Sequence, residues 1–150
     1  GGAVAAPGRP ITCIIGDGGL QLCLGELATV VRHQLPLKIV LFNNHSHGIQ
    51  KQTLETWLDG NYVGVNPDSG LGLSDFPRVA EAMGLAVVSI SKTSDIKRKL
   101  TEAYAMPGPV FCNIEINPNQ KLYPVLKAGD PLENQMPLMP ADKLNALCKI

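Results

Sequence analysis

The sequence lacks the features that mark several large functional classes. No apolar run approaches the roughly 18 residues that cross a bilayer. Lys plus Arg and Asp plus Glu number 13 each, so there is no excess of positive charge to bind a nucleic acid or an anionic membrane. Aromatic residues make up 5% and charged residues 17%, whereas 45% are hydrophobic. This composition predicts a globular chain with one real core.

Cysteine is scarce, and its spacing does not fit a zinc-binding motif or a redox-active pair. None of the four cysteines lies two residues from another, which excludes a zinc knuckle or a redox pair. Cys13 and Cys112 sit in apolar strand-like runs, where a free thiol acts as a small core residue. We therefore expect a reducing, cytoplasmic compartment. Because the chain opens Gly1-Gly2 without Met, we also expect it to be a piece of something longer.

The apolar pattern alternates between strand-like and helix-like segments. Runs at 11–15 and 37–42 predict strands buried on both faces. From Leu20 to Val31 the apolar residues recur at helical spacing, which predicts one amphipathic helix. Further strands are predicted at 86–90 and 109–116, and further helices near 75–83, 93–106 and 141–147. This order predicts an α/β fold, an open and mostly parallel sheet with helices on both faces.

Proline marks a change in the last part of the chain. Pro118 begins a series of five prolines that continues to residue 140. We predict one domain over 1–118, truncated at its N-terminus, and a Pro-rich C-terminal tail over 119–150 that carries a short helix.

Two polar clusters follow consecutive predicted strands. The first is Gly16-Asp17-Gly18-Gly19 and the second is Asn43 to Gly48. In open parallel sheets, ligands bind beyond the carboxyl ends of the strands, so both clusters are expected to line one crevice. Asp17 brings an anionic oxygen and Asn44 a neutral carbonyl oxygen, which suit Mg²⁺. The glycines let backbone N–H groups approach a phosphate at a helix start. Together these features predict a cation-bridged diphosphate site.

Competing phosphate and metal motifs fail on inspection. The string G-x-x-x-x-G-K-[ST] of nucleotide P-loops is absent. A dinucleotide fingerprint would start at Gly16 but meets Gln21 at its last glycine, and the next strand ends in Asn43-Asn44 instead of an acid. His45 and His47 lie two residues apart with no third zinc ligand in sight. A non-catalytic nucleotide-binding α/β module remains open as an alternative.

The pair of motifs resembles the diphosphate-binding motif of thiamine diphosphate (ThDP) enzymes. Asn44 follows Asp17 by 27 positions, which is similar to the spacing in that family. Pro36 before the second strand and the stretch 48–52 after the Asn pair are also similar. Within the family, residues 1–118 look most like acetolactate synthase-like 2-oxo acid carboligases and decarboxylases.

The resemblance implies roles for individual residues. Mg²⁺ would be held by the Asp17 carboxylate, the Asn44 side chain and the backbone carbonyl of Ser46. The residues implied to bind the cofactor are Gly16, Asp17, Gly18, Gly19, Asn44, Ser46, His47, Gly48 and Ile49. Where acetolactate synthases carry a Trp that shapes the pocket, this chain has Thr53. Trp57 is predicted to pack in or near a loop after the site.

The resemblance also implies a function and partners. The parent protein would be a ThDP- and Mg²⁺-dependent 2-oxo acid lyase or transferase (carboligase), either acetolactate synthase-like or another 2-oxo acid decarboxylase. The activating Glu would come from a pyrimidine-binding domain on the same or a partner chain, and Glu26 is not that residue. A homodimer or homotetramer, FAD on another domain and inactivity of the isolated chain are expected. Which 2-oxo acid is used, and whether it is decarboxylated or condensed, stays open.

Overall fold

The computed structural model describes residues 1–126 and 129–147. The strands are β1 (Ile11–Gly16), β2 (Leu37–Asn43), β3 (Ala86–Ile90) and β4 (Val110–Glu115). The helices are α1 (Gly2–Ala5), α2 (Asp17–Leu22), α3 (Glu26–Arg32), α4 (Gly48–Trp57), α5 (Phe76–Ala82), α6 (Ile96–Ala105) and α7 (Ala141–Leu147). Short 3₁₀ turns lie at Pro67–Ser69 and Thr93–Asp95.

The four strands form one parallel sheet in the order β1-β2-β4-β3. Residues that alternate along a strand point to opposite faces, and two apolar clusters form accordingly. Leu41 packs with residues of α2, α3 and α5, whereas Val40 packs on the α6 side. Helices therefore cover both faces, which confirms the predicted α/β class.

The prediction that β1 is buried on both faces is wrong. Cys13 and Ile15 pack against the cluster formed with α2, α3 and α5, but Thr12 is exposed and Ile14 is 65% exposed. β1 is one of the two edge strands, and only its face that carries Cys13 and Ile15 packs against an apolar cluster. An apolar run in the sequence shows the composition of a strand, but it does not show which elements pack on either of its faces.

The predicted helix from Leu20 to Val31 is also wrong in its continuity. The structure has α2 and α3 with a break at residues 23–25, where Gly25 precedes α3. Because Gly is a poor helix former and a tolerated N-cap, the apolar stripe continues while the backbone helix does not. Conversely, α5 begins as its sequence signals indicate, with Pro77 in its first turn and Asp75 accepting from the Arg78 N–H at 3.3 Å.

Two compact units divide between Gln120 and Lys121. The first contains the sheet and helices α1 to α6. In the second, Val125 and Met136 form an isolated antiparallel bridge, and α7 buries none of its residues. In the described ranges, no helix has the length and apolar content that a membrane crossing requires. Of the four cysteines, Cys148 lies outside those ranges, and Cys13, Cys23 and Cys112 are free.

Candidate functional site

The two polar clusters meet at the carboxyl edge of the sheet. β1 ends at Gly16, directly before Asp17, and the parallel register pairs Gly16 with Phe42 of β2. Asn43 then ends β2, so the loop that begins at Asn44 leaves the sheet beside the start of α2. Parallel pairing therefore brings together two loops that lie far apart in the chain.

The Asp17 carboxylate joins the two loops. Asp17 is only 3% exposed. Its Oδ1 accepts from the Gly18 N–H at 2.7 Å, and its Oδ2 accepts from the N–H groups of Asn44 at 3.1 Å and Ser46 at 3.2 Å. A buried charge is costly unless it is hydrogen-bonded, and three backbone donors stabilise this one. Because α2 is six residues long, these individual N–H groups matter more than a helix dipole.

The Asn44 side chain lies against the same carboxylate. In one amide orientation its nitrogen donates to Asp17 Oδ2 at 3.0 Å and to the Ser46 carbonyl oxygen at 2.8 Å, and its oxygen accepts from Ser46 Oγ at 3.2 Å. In the other orientation its oxygen takes the nitrogen's place and faces only acceptors. Hydrogen bonding alone favours the first orientation, whereas a cation between the oxygens favours the second.

These spacings fit a small, hard cation. Mg²⁺ holds oxygens at about 2.0–2.1 Å in an octahedron, so neighbouring ligands lie about 2.8–3.0 Å apart. The positions around Asn44 match that separation toward both Asp17 and Ser46. Among the described residues, no group of three or more His, Cys, Asp and Glu side chains is arranged to hold a metal. A metal at this edge would therefore rely on one carboxylate plus carbonyl oxygens, the donor set that Mg²⁺ accepts.

Two glycines permit the close approach of the loops. A Cβ on Gly18 would overlap the His47 ring, and a Cβ on Gly48 would lie 2.7 Å from Asn44 Nδ2. At Gly19 the added Cβ would lie 3.3 Å from Ile15 Cγ1, whereas Gly16 has no such neighbour within 4 Å. Gly18 and Gly48 therefore have a steric reason to be glycine, and Gly16 has none in this chain.

The two histidines point to different neighbours and do not form a pair. The His45 Nε2 lies 2.7 Å from Glu115 Oε2, while the His47 ring covers Gly18. His47 also anchors its loop, since its N–H donates to the Val65 carbonyl at 2.8 Å.

Residues 48–57 form α4, a helix that was not predicted. It buries none of its residues, and Ile49 at its start is 70% exposed. Thr53 follows one turn later, with its Oγ1 donating to the Ile49 carbonyl at 3.0 Å. Trp57 ends the helix and is 55% exposed, so it does not pack in a core. The apolar pattern gave no signal here because an exposed helix needs no apolar stripe.

Sequence reasoning also missed Asn113 and Glu115 at the end of β4. Asn113 is buried, and both side chains hydrogen-bond to residues of the loop cluster. Their signal was available: polar residues at alternate positions of an otherwise apolar strand are unusual and need partners.

Comparisons with known proteins agree with this geometry. A family model described as "Thiamine pyrophosphate enzyme, C-terminal TPP binding domain" matches residues 1–114. The acetolactate synthase large subunit of Pyropia yezoensis is 31% identical over 129 residues, which cover 86% of this chain and 22% of that protein. The acetolactate synthase isozyme 1 large subunit of Escherichia coli (strain K12) is 31% identical over 130 residues, again 86% of this chain and 22% of that protein.

A solved structure shares the fold. The thiamine diphosphate-dependent 4-hydroxybenzoylformate decarboxylase of Rhodococcus jostii RHA1 superimposes with a TM-score of 0.68 at 22% identity, covering 77% of this chain and 21% of that chain. The chain thus spans about a fifth of the length of the relatives and the structure it matches.

Proposed function

The chain belongs to the thiamine pyrophosphate enzymes, as their C-terminal TPP-binding domain, and we propose that it binds the diphosphate of ThDP through Mg²⁺. The ligands of the ion are the Asp17 carboxylate, the Asn44 side-chain oxygen and the Ser46 carbonyl oxygen. The cofactor-binding domain comprises residues 1–118. The further cofactor-lining residues are Gly16, Gly18, Gly19, His47, Gly48 and Ile49.

One observation carries the proposal: the Asn44 side chain, from the second loop, lies between the buried Asp17 carboxylate and the Ser46 carbonyl oxygen. The side-chain amide position of Asn44 lies 3.0 Å and 3.2 Å from the two Asp17 carboxylate oxygens and 2.8 Å from the Ser46 carbonyl oxygen, although Asp17 and Asn44 are 27 positions apart. A cation removes the repulsion between these oxygens and at the same time attracts a diphosphate. Gly18 and Gly48 keep the space beside them free of Cβ atoms.

In this proposal the protein's contribution is to hold the metal ion and the diphosphate and to orient the cofactor. Bound ThDP supplies an electron sink for the breakdown of 2-oxo acids. Asp17 would hold the ion and the backbone of both loops would hold the phosphates, so that the cofactor would be oriented at this edge of the sheet. Ile49, exposed at the start of α4, faces the cofactor or its substrate in this proposal.

The test is a titration of the ¹⁵N-labelled 150-residue chain with ThDP, followed by two-dimensional NMR, in MgCl₂ and in EDTA. We expect shifts of amides 16–19 and 44–48 in Mg²⁺ only, and their loss in Asp17→Ala. Asp68→Ala is the matched control because Asp68 is exposed and the charge change is the same. Undiminished, Mg²⁺-dependent binding in Asp17→Ala would refute the metal assignment.

For the parent protein we propose a 2-oxo acid carboligase or decarboxylase of the acetolactate synthase type. The names of the curated relatives support carboligation, and the replacement of the family's pocket Trp by Thr53 leaves the second substrate open. Incubating the parent protein with pyruvate, with and without 2-oxobutyrate, separates the two outcomes. Acetohydroxy acids indicate carboligation, whereas free aldehyde indicates simple decarboxylation.

The remaining parts of the proposal concern assembly and compartment. The activating Glu comes from a pyrimidine-binding domain of the same or a partner chain in a homodimer or homotetramer, and any FAD binds another domain. We accordingly expect no turnover of 2-oxo acids by these 150 residues alone. The free thiols of Cys13, Cys23 and Cys112 support a reducing compartment such as the cytoplasm.

A further inference from the structure

A polar network lies at the carboxyl edge of the sheet, beside the candidate metal site. Asn43 and Glu115 are register partners on β2 and β4, and Asn113 precedes Glu115 by two positions on β4. Asn43 Nδ2 donates to Asn113 Oδ1 at 3.2 Å and to Glu115 Oε1 at 3.4 Å, and Asn113 Nδ2 donates to Glu115 Oε1 at 2.7 Å. Asn43 is 3% and Asn113 2% exposed, so Glu115 satisfies amides that water does not reach.

The network ends on the residue between two candidate ligands. His45 stands between Asn44 and Ser46 with φ of 54°, in the left-handed region that is unfavourable for residues other than glycine. Two contacts hold it there. Its N–H donates to Asn43 Oδ1 at 3.3 Å, and its Nε2 lies 2.7 Å from Glu115 Oε2.

The left-handed turn at His45 has a consequence for the site. It allows the N–H groups of Asn44 and Ser46 to donate to the same atom, Asp17 Oδ2. An extended residue at position 45 would hold these two N–H groups about 6.6 Å apart, two rises of about 3.3 Å, which is too far for one oxygen to accept both. The contacts that hold His45 in this conformation therefore also keep Asn44 and Ser46 in position to bond to Asp17.

From these contacts we infer that Glu115 is a positioning residue for the metal site, holding His45, Asn43 and Asn113 so that Asn44 and Ser46 stay bonded to Asp17 before the cofactor binds. The inference rests on the proposed function. Glu115 is not one of the proposed ligands; its contacts are to Asn43, His45 and Asn113, so it acts on the site through these residues.

An ordinary surface ion pair does not account for this arrangement. The side chains of His45 and Glu115 are 57% and 37% exposed, and such pairs contribute little by themselves. The difference here is that two buried amides fix the Glu115 carboxylate. Groups that orient metal ligands in this way typically change metal affinity by about 10- to 100-fold when they are removed.

The experiment compares variants of the full chain by the same NMR titration with ThDP in MgCl₂. For Glu115→Ala we expect affinity to fall about 10-fold or more. Glu115→Gln keeps an acceptor for the amides and a polar group for the His45 ring. We therefore expect its ThDP affinity to stay within about threefold of that of the unmodified 150-residue chain. The matched control is Glu102→Ala, which removes a carboxylate paired with Arg98 on α6 at 3.0 Å. We expect no loss in that control.

A second measurement needs no cofactor. Amide hydrogen exchange at residues 44–48 reports the order of the loop, and we expect it to be faster in Glu115→Ala than in Glu102→Ala. Circular dichroism verifies folding of every variant. If Glu115→Ala does not fold, His45→Asn replaces it, because Asn tolerates the left-handed conformation but lacks the ring that reaches Glu115. We expect weaker binding there as well.

The outcomes separate the inference from the proposal on which it depends. If Asp17→Ala loses binding while Glu115→Ala and His45→Asn keep it, the positioning role is wrong and the metal site stands. If Glu115→Gln binds as weakly as Glu115→Ala, hydrogen-bond geometry is not the cause and the inference also fails. If the unmodified chain shows no Mg²⁺-dependent binding of ThDP, the proposed function itself fails.

Discussion

The two ends of the sheet each bury one charged side chain, and they treat it differently. Asp17 at the carboxyl end and Lys38 at the amino end are both 3% exposed. Lys38 Nζ donates to the carbonyl oxygens of Met106, at 2.6 Å, and Gly108, at 3.0 Å, in the turn before β4. Asp17 accepts three backbone N–H groups, and the Asn44 side chain lies between its carboxylate and the Ser46 carbonyl oxygen.

The difference distinguishes a structural charge from a binding one. At the amino end, a cation meets carbonyl acceptors, so the contacts are complementary without any ligand. At the carboxyl end, one position of the Asn44 amide faces two acceptors, the Asp17 carboxylate and the Ser46 carbonyl oxygen, and only a donating amide nitrogen or a bound cation makes that arrangement favourable. Burial alone does not separate the two cases; the sign of the neighbouring groups does.

The strongest test of the difference between Asp17 and Lys38 is to remove each charge in turn. Asp17→Asn keeps the shape of the side chain but removes the carboxylate from the proposed ligand set, so we expect ThDP affinity in Mg²⁺ to fall by more than about 100-fold, beyond the range seen when groups that orient metal ligands are removed. Lys38→Met is the matched partner, and we expect its affinity to stay within about threefold. Calorimetric titration of both variants decides the matter. Equal losses would show that the two ends are not functionally distinct.

The second prediction concerns the stability of Lys38→Met instead of its ThDP affinity. In Lys38→Met the carbonyls of Met106 and Gly108 lose a charged donor, and we expect the free energy of unfolding to fall by about 1.5–3 kcal/mol. Urea denaturation followed by circular dichroism measures it. Lys97→Met serves as the control because Lys97 is exposed and the charge change is the same. An unchanged midpoint in Lys38→Met would contradict the structural role of Lys38.

A third prediction concerns the glycine that lets the two loops approach. Gly18→Ala places a methyl group against the His47 ring. Because that ring is able to rotate away, we expect a loss of about 1 kcal/mol in unfolding free energy, at the low end for overpacking. The double variant Gly18→Ala/His47→Ala restores most of it. Gly72→Ala, where an added Cβ has no neighbour within 4 Å, is the control and is expected to be neutral.

The smallest effect is expected at Cys112, between the two ends. Burial raises the pKa of the Cys112 thiol above its ordinary 9.0, and the positive charge of Lys38 partly offsets this. The folded state thus binds the thiol proton more tightly than the unfolded state, so stability from this group is present below pH 9 and is lost as pH rises further.

The corresponding measurement is the Cys112 Cβ chemical shift as a function of pH. We expect its midpoint to lie above 9.0 and to move higher still in Lys38→Met, because the offsetting charge is gone. A midpoint that moves downward in this variant would contradict the assignment of Lys38 as the nearby charge. Lys97→Met again provides the comparison.

Much of the site was predictable because it depends on where strands end. Runs at 11–15 and 37–42 located β1 and β2, and the polar residues after them, Asp17 and Asn44, do come together. Helix α4 was not predictable from apolar periodicity, since it buries nothing. The break between α2 and α3 was missed because Gly25 interrupts the helix without interrupting the apolar stripe.

By itself, the sequence determined the alternation of strands and helices, the parallel sheet and the identity of the two loops at its carboxyl edge. Local periodicity and strand-ending residues encode these features, and parallel pairing then forces consecutive strand ends to meet. Only the tertiary structure decided that β1 is an edge strand with Ile14 exposed and that Glu115 reaches His45 from 70 positions away. Those contacts depend on the order β1-β2-β4-β3, and strand order arises from packing among distant segments, which no local pattern records.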